Sequence, residues 1–581
     1  MQSCLRRRPT RRCTILVTVW SCLAVVLFYL RANRNTNHPK MADLSLSANL
    51  LNSHFYWPIL DVVQRARIYP DGKQFVDMVL KHPIDEVIKD FELRGLSTKS
   101  NKEDIAKFVK DNYLPAGSDV KAVVPPDWQP DTINRLVESL AKEPAMANWV
   151  QSLHKLWRSL AKEAILSSSS IPHLSSLIMP SGTDSNWFIV PGGRFRELFY
   201  WDTYWTMQGL AVSGMHSTMK SILNIMLAFV TQLGYIPNCN RVYCLNRSQP
   251  PMLCLMFETY LKATNDMAFL RENYHLLERE YDWWMSERTS TVVIDYKYSY
   301  AMNHYGSTES SRPRPESYRE DWETASGSGE PEHIYAELAA ACESGQDFSS
   351  RWMAKPDSLA SVETSHIVPV DLNAIMHRNE QLLSEWAGLL GFKAKMHLYA
   401  DSAEIRINAI RNVLWNNATG CWFDWHLEKQ APVSNRFYAS NLVPLFTGST
   451  HSPETTVPQV LDYLDKSGAL VYPAGVPFSL SGNQSHQQWD FPNVWPPYQH
   501  MLVTGLANTS NKRARQLARR LATGWLRAGL AAWRRDGVMH EKYDCRLADG
   551  GAGSGGEYAS QIGFGWTNGA VLDLLSKGLL D

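Results

Sequence analysis
The sequence predicts an all-α fold, a large helical domain whose long loops collect at one end. Apolar residues recur at helical spacing, most plainly over Asp371–Gly391. There Ile375, Leu382, Leu383, Trp386, Leu389 and Leu390 stand at i, i+7, i+8, i+11, i+14 and i+15. Strand-like alternation is short and scarce, as over Cys421–His426. No long low-complexity linker divides the body, although Ser307–Pro331 is a polar region rich in Pro, Gly and Ser. Long loops inside a compact domain commonly carry function.

Taken in order, Met1–Arg12 holds five arginines, and an apolar run of 18 residues extends from Cys13 to Leu30. That length is near the lower limit for crossing a bilayer. The basic flank predicts a signal anchor through the lipid bilayer over residues 13–30, with residues 1–12 cytoplasmic and the rest translocated. A cleaved signal peptide followed by secretion is the alternative, but no small-x-small site follows the run and Arg31 and Arg34 come directly after it. Sequons at Asn246, Asn417, Asn483 and Asn508 fit a lumenal or extracellular body. Helical patterns then run through Thr218–Leu233, Leu253–Lys262, Glu404–Trp415 and Lys512–Trp533. Nine cysteines show no zinc-ligand spacing, and Cys239 has Cys244 or Cys254 as possible partners.

Lys and Arg total 58, as do Asp and Glu, so there is no electrostatic case for nucleic acid. The 21 tryptophans favour an aromatic-lined ligand site. The stretch Pro191–Trp205, PGGRFRELFYWDTYW, mixes glycines, arginines, carboxylates and rings at a density that core segments avoid, because an unpaired buried charge is costly. Flat rings beside Arg and Asp suit a polyhydroxylated ligand, so the expected pocket binds carbohydrate. Gly234–Pro251, Ser311–Asp321, Glu343–Trp352, Gln487–Pro497 and Glu541–Trp566 have the same character. Two carboxylates suffice to hydrolyse a glycosidic bond without metal or cofactor, and the candidates are Asp202, Glu316, Asp347, Asp490, Glu541 and Glu557. Gly551, Gly553 and Gly556 satisfy GxGxxG, but no strand precedes them, so they read as a mobile lid over a ligand.

PGGRFRELFYWDTYW and QWDFPNVWPP closely resemble the two signature segments of trehalases, inverting α,α-trehalose hydrolases. DGKQFVDM, IPN, RSQPP, RPRPESY, ESG-x-DFSSRW, EKYD and GGEY…GFGWTNG extend the resemblance over about Asp71–Leu575. It implies an (α/α)6 barrel over 61–581, entered through a stem at 31–60. It also implies Asp347 as general acid, Glu541 as general base, and hydrolysis of trehalose by water. The sugar-binding positions it implies are Arg194, Trp201, Asp202, Asn238, Arg247, Ser248, Gln249, Arg314, Pro315, Glu316, Gly345 and Glu557. The chain departs from the pattern with Gln346 for the Trp before the acid, and with Cys239 and Cys244 for a Gly and a Tyr. A ring lost beside the acid is expected to thin the apolar shield that raises its pKa. Two alternatives follow: another inverting helical-barrel α-glucosidase of glycan-processing type, or a sugar-binding pseudoenzyme.

Overall fold
Along the chain, helices alternate between an outer and an inner ring. The computed structural model describes residues 55–165, 175–183, 186–294, 297–308, 311–480 and 485–580. Among these, the outer helices are α1 (Pro144–Leu160), α3 (His216–Leu233), α5 (Met267–Glu287), α7 (Lys393–Ala409), α9 (Pro453–Ser467) and α11 (Lys512–Asp536). The inner helices are α2 (Tyr200–Val212), α4 (Leu253–Thr264), α6 (Val370–Leu390), α8 (Val443–Thr447), α10 (Pro496–Ala507) and α12 (Gly565–Ser576). Each inner helix packs on the next, and α12 returns to α2, which closes the ring. This is the expected (α/α)6 barrel. The apolar segment 13–30 and the sequon at Asn483 lie outside the described residues.

Sequence pattern separates the rings. In α10 every position from Pro496 to Leu506 is buried, and in α12 every position from Gly565 to Leu575, as befits helices apolar all round. Helix α11 instead buries one stripe, including Ala514, Leu517, Ala518, Leu521, Ala522 and Trp525, and turns its arginines outward. The closing contact needs glycine. A Cβ on Gly209 of α2 would lie 2.7 Å from the Gly569 Cα of α12, and one on Gly569 would fall inside the Trp205 carbonyl.

The expected helices over Thr218–Leu233, Leu253–Lys262, Asp371–Gly391 and Lys512–Trp533 are present as α3, α4, α6 and α11. Glu404–Trp415 differs. Helix α7 ends at Ala409, Ile410–Leu414 form a π-helical turn, and Trp415 enters a strand opposite Trp422. The two indoles meet edge to face at 4.8 Å, a tertiary contact that overrides the local helical period. Cys421–His426 supplies short antiparallel strands, as its alternation predicts.

The inner helices all begin at one mouth. Trp201 and Asp202 open α2, Asp371 opens α6, and Trp566 opens α12, while Gln249 lies four residues before α4 and Trp495 immediately precedes α10. The segments leading into these helices therefore gather there. Replacing Gly569 with Val is expected to lower stability by about 1–3 kcal/mol through overpacking. Thermal unfolding checks this against Gly329→Ala, whose added Cβ meets nothing within 4 Å and should leave Tm unchanged.

Candidate active site
The gathered segments enclose a cavity lined by Arg194, Trp201, Asp202, Asn238, Arg247, Gln249, Arg314, Glu316, Gly345, Asp347, Glu541 and Glu557. Its apolar wall is built from rings. Trp489 stacks on Trp495 at 3.8 Å between centroids, and Trp201 meets Trp566 edge on at 6.2 Å. The N–H of Trp201, an orphan donor at a helix start, is accepted by Gln249 Oε1 at 2.9 Å. Gly345 lies at φ +72°, and a Cβ there would stand 2.7 Å from the Trp201 ring, so this approach requires glycine.

Charge pairing sorts the carboxylates. Arg194 is held by Asp71 through two hydrogen bonds of 2.6 Å and lies over the Tyr558 ring at 4.3 Å. Arg247 donates to Glu316 at 2.6 Å. Arg314 donates to Asp321 at 2.6 Å and to Glu557 at 3.2 Å, and Glu557 also accepts from Ser317 Oγ at 2.7 Å. Asp490 lies behind the wall, accepting from Ser349 Oγ and the Ser350 N–H. Among the described residues, Asp202, Asp347 and Glu541 line the cavity without an arginine partner. Six sequence candidates reduce to three.

The three differ in environment. Burial pushes the Asp347 carboxyl up to about 6; Arg314 and Arg247 oppose this, and the Glu541 charge adds to it. Burial also raises Asp202 well above the usual carboxylate range, with Glu541 and Asp347 contributing. Glu541 accepts from Tyr558 OH at 2.9 Å and from the Gln561 N–H at 3.2 Å, which leaves it a fixed acceptor. Lys542 Nζ stands 3.8 Å from Glu541 and donates to Gln488 Oε1 at 2.7 Å; Gln488 in turn donates to the Asp347 carbonyl. Burial lowers the Lys542 pKa, and Glu541 and Asp347 oppose that shift. Sequence reasoning passed over Lys542, Gln488 and Tyr558, although adjacency to Glu541, Trp489 and Glu557 within quoted motifs marks each of them.

Two predicted sugar ligands do not line the cavity. Ser248 directs its hydroxyl to the Ile236 carbonyl and its N–H to Glu343, and the Pro315 carbonyl accepts from Gln64. They support the wall from behind. Gln346 also points away. It is fully buried, donating to Asp371 at 3.0 Å and to Tyr498, while its carbonyl accepts from Arg351 at 2.9 Å. Gln346 therefore adds nothing to the cavity wall, whose rings come from elsewhere, and burial raises Asp347 with Gln346 in place. Cys239 and Cys244 form a disulfide with S–S 2.02 Å, while Cys254 is free and buried. The two departures from the family pattern are thus one bond, closed beside Asn238. The glycine-rich segment is not a free lid: Gly553 donates to the Lys542 carbonyl, and Ser554 and Asn493 exchange two hydrogen bonds.

A larger cavity of about 1030 Å³ opens among the inner helices, lined by Tyr204, Arg378, His500 and Asp573 among others. Of its carboxylates, Glu258 pairs with Arg378 and Lys262 and Asp573 with His500 and Lys577, while Glu454 is exposed to solvent. Carboxylates without an arginine partner, enclosed by rings, distinguish the smaller cavity.

The trehalase family model matches residues 67–578. The chain belongs to the trehalase family. It is a glycoside hydrolase, and the family reaction is hydrolysis of trehalose to glucose. Trehalase from Oryctolagus cuniculus is 41% identical over 89% of this chain and 88% of its own length. Trehalase from Pimpla hypochondriaca is 37% identical over 96% and 95%. The solved neutral trehalase from Saccharomyces cerevisiae shares the fold, with TM-score 0.54, 21% identity, and coverage of 68% of this chain and 75% of that one. For this family member, Gln346→Ala is expected to lower stability by about 1–3 kcal/mol, since Asp371 and Arg351 lose a buried partner. Thermal unfolding should report that loss, and KM for trehalose should not move.

Proposed function
We propose that the chain hydrolyses α,α-trehalose in one inverting displacement, with Asp347 as general acid and Glu541 as general base. The observation that carries this reading is the presence of these two acids at one cavity without an arginine partner. Asp347, raised to about 6, retains protons near neutrality and delivers one to the glycosidic oxygen. Glu541, fixed by Tyr558 and Gln561, takes a proton from water as that water attacks the anomeric carbon from the opposite face. Asp202 is the third acid without an arginine partner; family resemblance and its opening position in α2 favour a role as a clamp on sugar hydroxyls. Arg194, Trp201, Asn238, Arg247, Gln249, Arg314, Glu316, Gly345 and Glu557 complete the binding surface, and Ser248 and Pro315 hold it in place.

We further propose that residues 13–30 anchor the chain with the body on the translocated side. No helix among the described residues is long and apolar enough to cross a membrane, so the anchor rests on the N-terminal sequence. Asn417 and Asn508 are exposed and can carry glycans. Asn246 is half-buried and the hydroxyl of its sequon, on Ser248, is fully buried. Glycopeptide mapping should therefore find glycan at Asn417 and Asn508 and none at Asn246.

Asp347→Ala and Glu541→Ala should each lower kcat by about 10²–10⁴-fold while the protein stays folded. Wild-type activity in either variant would remove the role assigned to that residue. An acid active only while protonated also predicts that activity declines as pH rises through about 6. The stability sign agrees. A carboxyl raised on folding disfavours its charged form, so stability falls as pH rises from its unfolded value toward about 6. Asp347→Asn removes that penalty and should raise stability at pH 7.5 by about 1–3 kcal/mol, measured by denaturant unfolding.

A further inference from the structure
Helix α11 carries eight cationic side chains and no carboxylate between Lys512 and Arg535, in a chain whose net charge is +0. All eight are exposed. Arg513, Arg520, Arg527 and Arg534 are seven residues apart, which sets them about 10.5 Å apart in a row drifting only about 20° per step. The row spans about 31 Å on the solvent face, opposite the stripe that buries Leu517, Leu521 and Trp525.

Helix stability accounts only for Arg534 and Arg535, which sit in the last turn where the macrodipole favours cations. Lys512, Arg513 and Arg515 sit in the first turn, where the macrodipole disfavours cations, and Arg515 and Arg519 are like charges at i,i+4. Carboxylates pair with cations near both ends of the helix. Asp462 and Asp465 of α9 pair with Arg513, and Asp536 and Asp549 pair with Arg535. Arg515 and Arg519 donate to the carbonyls of Thr509 and Gly578, which orients them without cancelling their charge. Among the described residues, no carboxylate pairs with Arg520 or Arg534.

We propose that this face binds a linear sulfated polysaccharide. A straight file of guanidinium groups matches regularly spaced sulfates, each able to take paired N–H donors. The large exposed apolar side chains of the described residues include none from α11, so the face lacks what inserts into a bilayer or stacks on nucleic-acid bases. Sulfated polysaccharides belong to the translocated side, where the proposed anchor puts the body; binding itself can be tested without assuming that topology.

The test is retention of the full-length chain, in detergent at pH 7.5, on immobilised heparin. Wild type should remain bound at about 0.15 M NaCl and elute near or above about 0.3 M, since the contacts are ionic. The variant Arg520→Glu/Arg527→Glu/Arg534→Glu should elute at or below about 0.15 M. Its glucose release from trehalose and its Tm should be unchanged, and the milder triple Arg→Gln variant should fall between. Both proteins keep the basic N-terminal tail, so their difference reads α11 alone. Wild type in the flow-through, co-elution of variant and wild type, or equal retention on desulfated heparin would overturn the proposal. So would a preference for phosphatidylserine vesicles over heparin.

Discussion
Removing charge from water is the constraint on which this site depends. A pocket for a polyhydroxylated ligand needs many ionisable groups, yet a buried ion without a partner is strongly destabilising. The chain meets this by pairing. Asp71 holds Arg194, Glu316 holds Arg247, and Asp321 with Glu557 holds Arg314. Behind them, Arg241 sits among Asp77, Asp119 and Glu197, and Arg351 joins Asp371 to Asp424. With the arginines committed, Asp347 and Glu541 are left beside each other's charge and free of a guanidinium. In the proposed mechanism these two carry the chemistry.

The double ring supplies the geometry for that chemistry. Charged side chains along the inner helices are paired, as Glu258 is with Arg378 and Glu380 with Arg406, while Asp202, Asp347 and Glu541 stand at the mouth without a guanidinium. Closure of the ring between α2 and α12 rests on Gly209 and Gly569, and it brings Trp201 and Trp566 to one mouth. The N-terminal segment contributes from outside the ring: Asp71 reaches Arg194, and Lys73 bridges Asp77 and Glu197.

Much of this was legible in the sequence because it is local. Helical period gave α3, α4, α6 and α11, and the ligand class followed from the unusual company of Arg, Asp and rings in Pro191–Trp205. Partner choice was not legible. Glu316 and Glu557 look no different from Glu541 on the page, and only the fold sets Arg247 and Arg314 against the first two. Side-chain direction was hidden for the same reason. Gln346 stands next to Asp347 in sequence but points into the Arg351–Asp371–Tyr498 cluster, and Ser248 and Pro315 face away from the cavity. Trp415 left its helix for a cross-strand contact with Trp422, seven residues on, that helical period does not register.

The proposed reaction sets Asp347 and Glu541, neither with an arginine partner, on opposite faces of one glucosyl unit. Its most direct test is the configuration of glucose released in the first moments of trehalose hydrolysis, read by proton NMR before mutarotation. Direct attack by a Glu541-activated water predicts equal amounts of α- and β-glucose, because one centre inverts and the leaving sugar keeps its configuration. Initial release of α-glucose alone would contradict the account, since it requires retention at the attacked centre.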